Sequence, residues 1–297
     1  MRTEELSSPP SLTPLLVKAM LTAPTRHGGD LPEVELVLPG VVPDRDKLTE
    51  YSRVCGFRVA SDLPPTYPHI LGFPLAMRLM TDPGFPFALP GMVHASNQII
   101  QHRLLATDSP LDIRVRADSL EKTDRGIQFA VRTEAYAGDR LVWQEESRYL
   151  HLERGKGKAR SASDNGTTSA EPAETTPDTT TAGGITPTAI WRLPNDLGRR
   201  YAAVSGDHNP IHLHPITSKL AGFSKPIAHG MWTLAHCLAS LEGRLPDAYR
   251  AEVKFRRPIS LPSTVGFLAS RRDGGWTIGV HNRSGEKTYV TGTVDPL

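Results

Sequence analysis

The spacing of apolar residues is clearest in the last third of the chain, where it changes from helical to strand-like. Between Ala228 and Leu241, apolar residues recur at i, i+3, i+4, i+7 and i+10, which predicts a long helix. One central helix followed by an antiparallel meander indicates an α+β arrangement in which the sheet wraps the helix. After Gly243 and Pro246, strands are predicted over 251–259, 264–271, 276–281 and 287–294.

Two shorter helical patterns precede the long helix. Asn195 and Asp196 are candidate caps of a helix that follows them, because short polar side chains at this position accept bonds from the first free N–H groups. The stretch 215–221 also has a helical pattern. The segment between these two helices, 205–212, is predicted to be a loop.

The N-terminal half repeats the order of helix and then strands, although less clearly. A helix is predicted over 73–80, and a capped amphipathic helix that packs on the domain is predicted over 12–21. The strands predicted in this half are 92–104, 111–120, 127–137 and 141–152.

A change in composition separates the two halves. Between Ser161 and Gly184, 19 of 24 residues are Ser, Thr, Ala, Gly or Pro, and there is no aromatic or large aliphatic side chain. Such a segment buries too little apolar surface to offset its ordering entropy, so a flexible linker is predicted. We therefore predict an N-terminal domain over 1–152, a linker over 153–186 and a C-terminal domain over 187–297.

Charge and cysteine content exclude several classes of protein. The 34 Lys and Arg against 32 Asp and Glu give a net charge of +2, too even for a nucleic-acid-binding surface. The two cysteines, Cys55 and Cys237, rule out a disulfide framework and favour a reducing compartment, with Cys237 expected to be inert core. No apolar run approaches the ~20 residues of a membrane span, and no secretory signal pattern is present. A cytoplasmic protein without nucleic-acid or membrane partners is expected.

The two halves share a local sequence match 150 positions apart. Tyr51 to Gly56 aligns with Tyr201 to Gly206, and the order of the predicted elements that follow corresponds. The second copy continues with an acid, an amide and an imidazole, Asp207, Asn209 and His212, whereas the first continues with mostly apolar groups. We therefore expect a duplication in which only the C-terminal copy is chemically active.

The residue types in this loop suit acid–base chemistry. Asp207 and His212 are five positions apart on a segment broken by Pro210, so a tight loop rather than a helix must bring them together. A carboxylate and an imidazole that converge on one water meet the needs of proton transfer near neutral pH. The alternative is an ordinary surface turn, since Asp, Asn and Pro are common turn residues.

A longer pattern makes the loop more specific. The string Tyr201-x-x-Val-Ser-Gly-Asp-x-Asn-Pro-Ile-His212, followed by Ile227-Ala-His-Gly-Met231, resembles the hydratase 2 signature of the MaoC-like dehydratase family. That resemblance implies the hot-dog fold, a long helix wrapped by an antiparallel sheet, and the whole chain is similar to double-hot-dog (R)-specific enoyl-thioester hydratases and 3-hydroxyacyl-thioester dehydratases. The stretch 98–103 looks like a degenerate counterpart of 253–259.

The resemblance also implies roles for individual residues. Asp207 and His212 would be the catalytic pair that activates water and handles the proton at C2. The backbone N–H of Gly230 would donate to the thioester oxygen, and His229 would line the same region. A hydroxyl residue that supports the site in some relatives is replaced here by Leu238. The residues implied to support the loop are Ser205, Gly206 and Asn209.

Other charged and imidazole groups admit more than one interpretation. Lys254, Arg256 and Arg257 are candidate phosphate-binding residues for coenzyme A or an acyl-carrier-protein arm, the alternative being a solvated strand face. The spacing of His212 and His214 suits two metal ligands on a strand, but the segment is predicted as loop and no Glu lies near enough in sequence to complete a three-ligand set, so no metal is expected. His236 is expected to be a buried imidazole with a local hydrogen bond. The candidate apolar liners of an acyl tunnel are Phe57, Phe73, Phe85 and Phe87, the alternative for each being an ordinary core position.

The function implied is reversible hydration and dehydration of (R)-3-hydroxyacyl thioesters in fatty-acid metabolism. No cofactor is expected beyond the coenzyme A or phosphopantetheine that forms part of the substrate. Two further hypotheses stay open: an acyl-thioester-binding subunit without catalysis, and a hot-dog thioesterase. The two halves are expected to form a pseudo-dimer within one chain by pairing the edges of their sheets, and homodimerisation stays open.

Overall fold

A computed structural model describes residues 1–22, 26, 28–89, 91–152, 186–220 and 222–297. The predicted linker segment from Ser161 to Gly184 lies outside them. In the described residues the helices are α1 (Leu12–Thr22), α2 (Arg45–Cys55), α3 (Tyr67–Met80), α4 (Leu197–Ser205), α5 (Pro215–Leu220) and α6 (Gly230–Ala239). None of these described helices has the length and apolar character that crossing a bilayer requires.

The strands all belong to one sheet. In chain order they are β1 (Arg2–Glu5), β2 (Val34–Val41), β3 (Met92–Gln101), β4 (Leu111–Thr123), β5 (Gly126–Ala137), β6 (Arg140–Leu152), β7 (Ala189–Leu193), β8 (Tyr249–Phe255), β9 (Ser263–Arg272), β10 (Gly275–Asn282) and β11 (Thr288–Pro296). Their order across the sheet is β1-β2-β4-β5-β6-β3-β8-β11-β10-β9-β7. Neighbouring strands run antiparallel except for the parallel pair of β1 and β2.

The sheet order has an internal symmetry. From the outside inward, β2-β4-β5-β6-β3 of the N-terminal half corresponds to β7-β9-β10-β11-β8 of the C-terminal half. The two halves meet where β3 pairs with β8, with Ser96 opposite Lys254 and Gln101 opposite Tyr249. The predicted α+β double hot-dog is therefore confirmed, and the two repeats join edge to edge as expected.

Each half packs one helix against the inner face of its sheet. In β4, Leu111, Ile113 and Val115 are buried at every second position, as expected for a strand with one face on the core. Helix α3 lies close to β5, since a Cβ on Gly72 would come within 2.5 Å of the Thr133 methyl carbon. In α6, the residues Leu234, Ala235, Cys237 and Leu238 are buried, as is Leu241 just beyond its end, in agreement with the predicted apolar face and with an inert Cys237.

Helix α2 ends against the central helix of the other half. Asp44 caps its N-terminus, with a side chain that accepts from two backbone N–H groups, and Gly56 caps its C-terminus with a left-handed φ of 86°. The Trp232 indole donates to the carbonyl oxygen of Val54 (2.9 Å), and His236 Nδ1 donates to that of Cys55 (2.8 Å). The hydrogen bond of His236 thus joins the two halves. The prediction that this bond would be local was wrong.

Several elements differ from the sequence-based expectation. Helix α2 and the strands β1, β2 and β7 were not predicted. Helix α3 begins at Tyr67, well before residue 73, because Pro68 is compatible with the first helical turn, where no N–H donor is needed. Asp196 does precede α4, but its side chain makes no capping hydrogen bond. Strand β8 ends at Phe255, short of the residue 259 that was predicted.

Candidate active site

The loop after α4 is held by a series of short-range hydrogen bonds. Gly206 adopts a φ of 77°, which ends the helix and turns the chain. The hydroxyl of Ser205 accepts from the N–H of Asp207 (3.1 Å), and Asp207 Oδ1 accepts from the N–H of Asn209 (3.1 Å). Asn209 Oδ1 in turn accepts from the N–H of Ile211 (3.3 Å). Ser205, Gly206 and Asn209 therefore shape the loop that presents Asp207.

His212 ends a 3₁₀ turn and is oriented by a backbone carbonyl. Its Nδ1 lies 2.7 Å from the carbonyl oxygen of Ile227, so Nδ1 carries the proton and donates, which leaves Nε2 as a bare acceptor. Burial lowers the pKa of His212 below 6.5, although Asp207 and the Ile227 carbonyl partly offset that effect. The imidazole is therefore neutral at pH 7 and able to accept a proton.

Asp207 presents an ionised carboxylate at the same place. Its side chain is 31% exposed, so solvent reaches it, whereas His212 is almost fully buried. Burial alone would raise the pKa of Asp207, but His229, His212 and the N–H of Asn209 outweigh burial and hold it below its ordinary value. The carboxylate is ionised in the neutral range, a state in which it is able to accept hydrogen bonds and a proton.

His229 immediately precedes α6 and contacts both members of the pair. Its Nε2 lies 3.0 Å from the backbone carbonyl oxygen of Asp207 and 3.7 Å from Oδ2 of the same residue. Its ring stacks on that of His212 with the ring centroids 3.6 Å apart. Burial and the neighbouring His212 lower the pKa of His229 to about 3, so it is neutral. His229 is thus a neutral imidazole that supports the loop and packs on His212.

Gly230 is the first residue of α6, where the helix has no internal acceptor for its N–H. A Cβ at this position would lie 3.1 Å from the ring of Phe255, so the absence of a side chain allows that ring to pack against the helix end. The free N–H groups and the positive end of the helix dipole suit an oxygen that gains negative charge.

The three residues also form a cluster that has the composition of a metal site. One donor atom each of Asp207, His212 and His229 lie within 4.8 Å of one another. His214, by contrast, is exposed and its Nδ1 accepts from the N–H of Ile216, so it is not part of this cluster. The Nδ1 of His212 donates to the carbonyl oxygen of Ile227 and the Nε2 of His229 donates to that of Asp207, so neither of these two nitrogens has a lone pair free for an ion. The geometry favours acid–base chemistry over metal binding.

The remaining predicted site residues lie on elements outside the catalytic loop. Lys254, Arg256 and Arg257 are all exposed, on β8 or just beyond its end. The backbone N–H groups of Arg256 and Arg257 both donate to the carbonyl oxygen of Tyr289, which fixes the chain there, and the exposed guanidinium of Arg256 donates from Nε to the hydroxyl of Thr291 (3.3 Å). A phosphate-binding role for these three residues stays a prediction. Leu238 lies in the α6 core, and the four predicted tunnel liners, Phe57, Phe73, Phe85 and Phe87, are buried.

Sequence reasoning did not find a second polar cluster, which lies in the N-terminal half. His69 on α3 and Glu145 on β6 form a buried pair with Nδ1 and Oε2 2.8 Å apart, and Asn97 on β3 donates to Glu145. His94 on β3 belongs to the same region. These residues come from three elements with no characteristic spacing, so only the strand register brings them together.

Comparison with known proteins agrees with this geometry. The sequence profile described as "MaoC like domain" matches residues 164–293. The chain is 36% identical over 293 residues to 3-hydroxyacyl-thioester dehydratase X of Mycobacterium tuberculosis, a match that covers 98% of this chain and 100% of that protein.

Solved structures show the same relationship. A crystal structure of HtdX of Mycobacterium tuberculosis superposes with a TM-score of 0.75 and 35% identity, over 89% of this chain and 100% of that one. A MaoC-like dehydratase from Phytophthora capsici has a TM-score of 0.69 at 16% identity over 90% and 96% of the two chains, which shows a common fold. The 36% identity to the Mycobacterium tuberculosis dehydratase over 98% of this chain, together with the loop geometry, shows that this chain belongs to the MaoC-like dehydratase family.

Proposed function

We propose that this protein is a lyase that interconverts trans-2-enoyl thioesters and (R)-3-hydroxyacyl thioesters by adding or removing water, in fatty-acid metabolism. The observation that carries this proposal is the convergence of the Asp207 carboxylate and the neutral His212 ring within 4.8 Å. One water that hydrogen-bonds to both groups spans this separation, since each such bond is about 2.8 Å long.

In the hydration direction, the water held between Asp207 and His212 attacks C3 of the enoyl thioester. As the new C–O bond forms, the water gives up one proton to the pair, with the bare Nε2 of His212 as the acceptor. The electrons of the C2–C3 double bond move towards the thioester oxygen, and the proton is then delivered to C2. Dehydration follows the same steps in reverse. Water is the only reagent that this balance consumes, so no redox cofactor takes part.

The thioester oxygen becomes negatively charged during this reaction. The N–H of Gly230 at the start of α6 is the proposed donor to it, and removal of one such donor typically costs about 3 kcal/mol of transition-state stabilisation. Coenzyme A or a carrier-bound phosphopantetheine would extend from there. Arg256 and Arg257, exposed just beyond β8, are the proposed contacts for its phosphates.

Substitution of each member of the pair tests the proposal. We expect Asp207→Asn and His212→Ala each to lower the turnover of a crotonyl thioester by at least about 100-fold, because each removes a positioned proton-transfer group. The loss of enoyl absorbance during hydration measures the rate. Circular dichroism and thermal denaturation establish that the variants fold.

His214→Ala is the matched control, because it removes an exposed imidazole two positions away from His212. Its turnover should equal that of the unmodified protein. Near-normal turnover of either pair variant would refute the assignment. Release of free thiol without hydration, detected with a thiol-reactive dye, would identify a thioesterase, and binding of a long acyl thioester without either reaction would identify a non-catalytic subunit.

A further inference from the structure

The N-terminal half contains a buried, charged network although its own copy of the catalytic loop has lost the acid and the imidazole. Glu145 is 1% exposed at its side chain and accepts from His69 Nδ1 (2.8 Å) and Asn97 Nδ2 (2.6 Å). The same Asn97 amide also donates to the hydroxyl of Ser147 (3.0 Å). A buried carboxylate loses its hydration, so a network of this kind in a domain core is a candidate functional site.

This network faces the catalytic loop of the other half through two aromatic contacts. His69 packs on Phe73 with their ring centroids 6.0 Å apart, and a Cβ on Gly206, next to Asp207, would be 3.9 Å from the Phe73 ring. On the other side, the ring of His94 lies 4.9 Å from that of Phe255, which packs on Gly230. The network therefore adjoins both sides of the proposed thioester site.

The amide of Asn97 is oriented so that one acceptor is left over. Its Nδ2 donates to Glu145 and to Ser147, both on β6, whereas β8, which carries Phe255, pairs with the opposite edge of β3. Asn97 is 1% exposed, and within the described parts of the chain its Oδ1 has no hydrogen-bond partner. A buried acceptor without a partner is rare in folded proteins and calls for an explanation.

His94 supplies a second free acceptor. Its Nε2 is buried and likewise has no partner in the described residues, so the hydrogen bond that its ring makes with the backbone of Ser96 belongs to Nδ1. Burial is the main cause that lowers the pKa of His94, to about 4, so the ring is neutral and Nε2 is a bare acceptor at pH 7. The two buried acceptors, Asn97 Oδ1 and His94 Nε2, therefore suit a ligand that supplies a hydrogen-bond donor.

The position of His94 indicates which part of the substrate it meets. Its ring stacks on Tyr149 (4.8 Å), which stacks on Phe129 (5.8 Å), and Phe129 stacks on Phe87 (5.6 Å). This row of rings leads from the thioester site into the N-terminal core, towards the residues expected to line the acyl tunnel. The guanidinium groups proposed to contact the coenzyme lie on the exposed side instead.

We propose that His94 and Asn97 form a polar subsite that accepts a hydrogen bond from a hydroxyl group on the acyl chain, beyond the reacting carbons. The preferred substrates are then hydroxylated acyl thioesters rather than plain alkyl ones. Glu145 and His69 hold the Asn97 amide in the orientation that this role requires. The inference rests on the proposed hydration activity and adds the class of acyl group to it.

A series of matched substrates tests this subsite. The kcat/KM of trans-2-octenoyl-CoA is compared with that of its isomers hydroxylated at C5, C6 or C7. At least one isomer should match or exceed octenoyl-CoA, because the subsite replaces the hydration that the hydroxyl loses. In His94→Phe, which keeps the ring but removes Nε2, the ratio of the hydroxylated to the plain substrate should fall about tenfold, the upper range for one neutral hydrogen bond.

Two further variants sharpen the comparison. His94→Gln retains an acceptor and should restore part of the ratio, whereas His102→Phe, at an exposed position just past the end of β3, should leave the ratio as it is. An equal loss for both substrates in His94→Phe would mean that His94 meets the shared thioester arm, and it would overturn the proposal. If His94→Phe does not fold, the unmodified protein still tests the proposal. The subsite is refuted if the kcat/KM of every hydroxylated isomer is below that of octenoyl-CoA. The proposed function is refuted if none of the substrates is turned over.

Discussion

At the scale of single residues, the site depends on which nitrogen of each imidazole is free. The Ile227 carbonyl oxygen accepts a hydrogen bond from Nδ1–H of His212, and the Asp207 carbonyl oxygen accepts one from Nε2–H of His229. Neighbouring imidazoles therefore have opposite tautomers, and only the one on His212 leaves Nε2 available. The same reasoning assigns the free acceptor of His94 in the other half. The chemistry of this region is set by backbone carbonyls as much as by the side chains themselves.

The pH dependence of hydration follows from these states. The reaction requires neutral His212, whose pKa lies below 6.5 because it is buried. As the pH falls, His212 takes up a proton only below pH 6.5, so the acid limb of kcat/KM should lie below that value. Asp207 raises the pKa of His212, so in Asp207→Asn the limb of the residual activity should move to still lower pH. Profiles of kcat/KM measured between about pH 4.5 and 8.5 report these free-enzyme values, and a limb above 6.5 would contradict the assignment.

At the scale of elements, the C-terminal ends of two helices make contacts between the two halves. Helix α2 ends on α6 of the other half, and the corresponding α4 ends beside α3, where a Cβ on Gly206 would approach Phe73. Each half therefore supplies a wall for the loop of the other. The contact that the end of α2 makes with α6 stabilises the fold, and the contact that the end of α4 makes with α3 positions Asp207.

Gly56 tests how the contact between α2 and α6 affects stability. It has a φ of 86°, and an added Cβ would lie 2.8 Å from Nδ1 of His236. We expect Gly56→Ala to lower the free energy of unfolding by about 2–4 kcal/mol, the sum of a left-handed alanine and an overpacked contact. Gly138→Ala is the control, because Gly138 also has a positive φ but no atom within 4 Å of the added Cβ, and it should cost about 1 kcal/mol. Equal losses in chemical denaturation would show that the contact with His236 contributes nothing.

The limits of sequence reasoning are also seen at the level of elements. The apolar face of α6 and the alternating strands of both halves were predictable, because each buries one continuous face. Helix α2 has its buried residues at the same helical spacing, Leu48, Tyr51, Ser52 and Cys55, but three of these four are polar or small, so its periodicity is weak. The start of α3 was hidden by Pro68, which normally signals a break.

Some residues of the candidate site could also be predicted from the sequence, and others could not. Asp207, Asn209 and His212 are close in sequence, so one loop pattern points to all three. The network of His69 and Glu145 depends on which strands are neighbours in the sheet, and that register has no local sequence signal. Residues that act together through tertiary contacts alone are found only once the fold is known.

At the scale of the whole molecule, the halves are held together by the β3–β8 pairing and by the bonds from α6 to the end of α2. Neither set of contacts involves residues 153–185. A protease site engineered between 161 and 184 should therefore be cleavable with activity retained within about twofold, since extensive sheet pairing of this kind behaves as an obligate interface. Size-exclusion chromatography of the cut protein should show both fragments in one peak. The uncut engineered chain, treated with inactivated protease, is the control. Loss of activity on dilution of the cut protein would mean that the covalent connection keeps the Asp207 loop against the N-terminal half, and that the β3–β8 pairing and the bonds from α6 to α2 do not suffice.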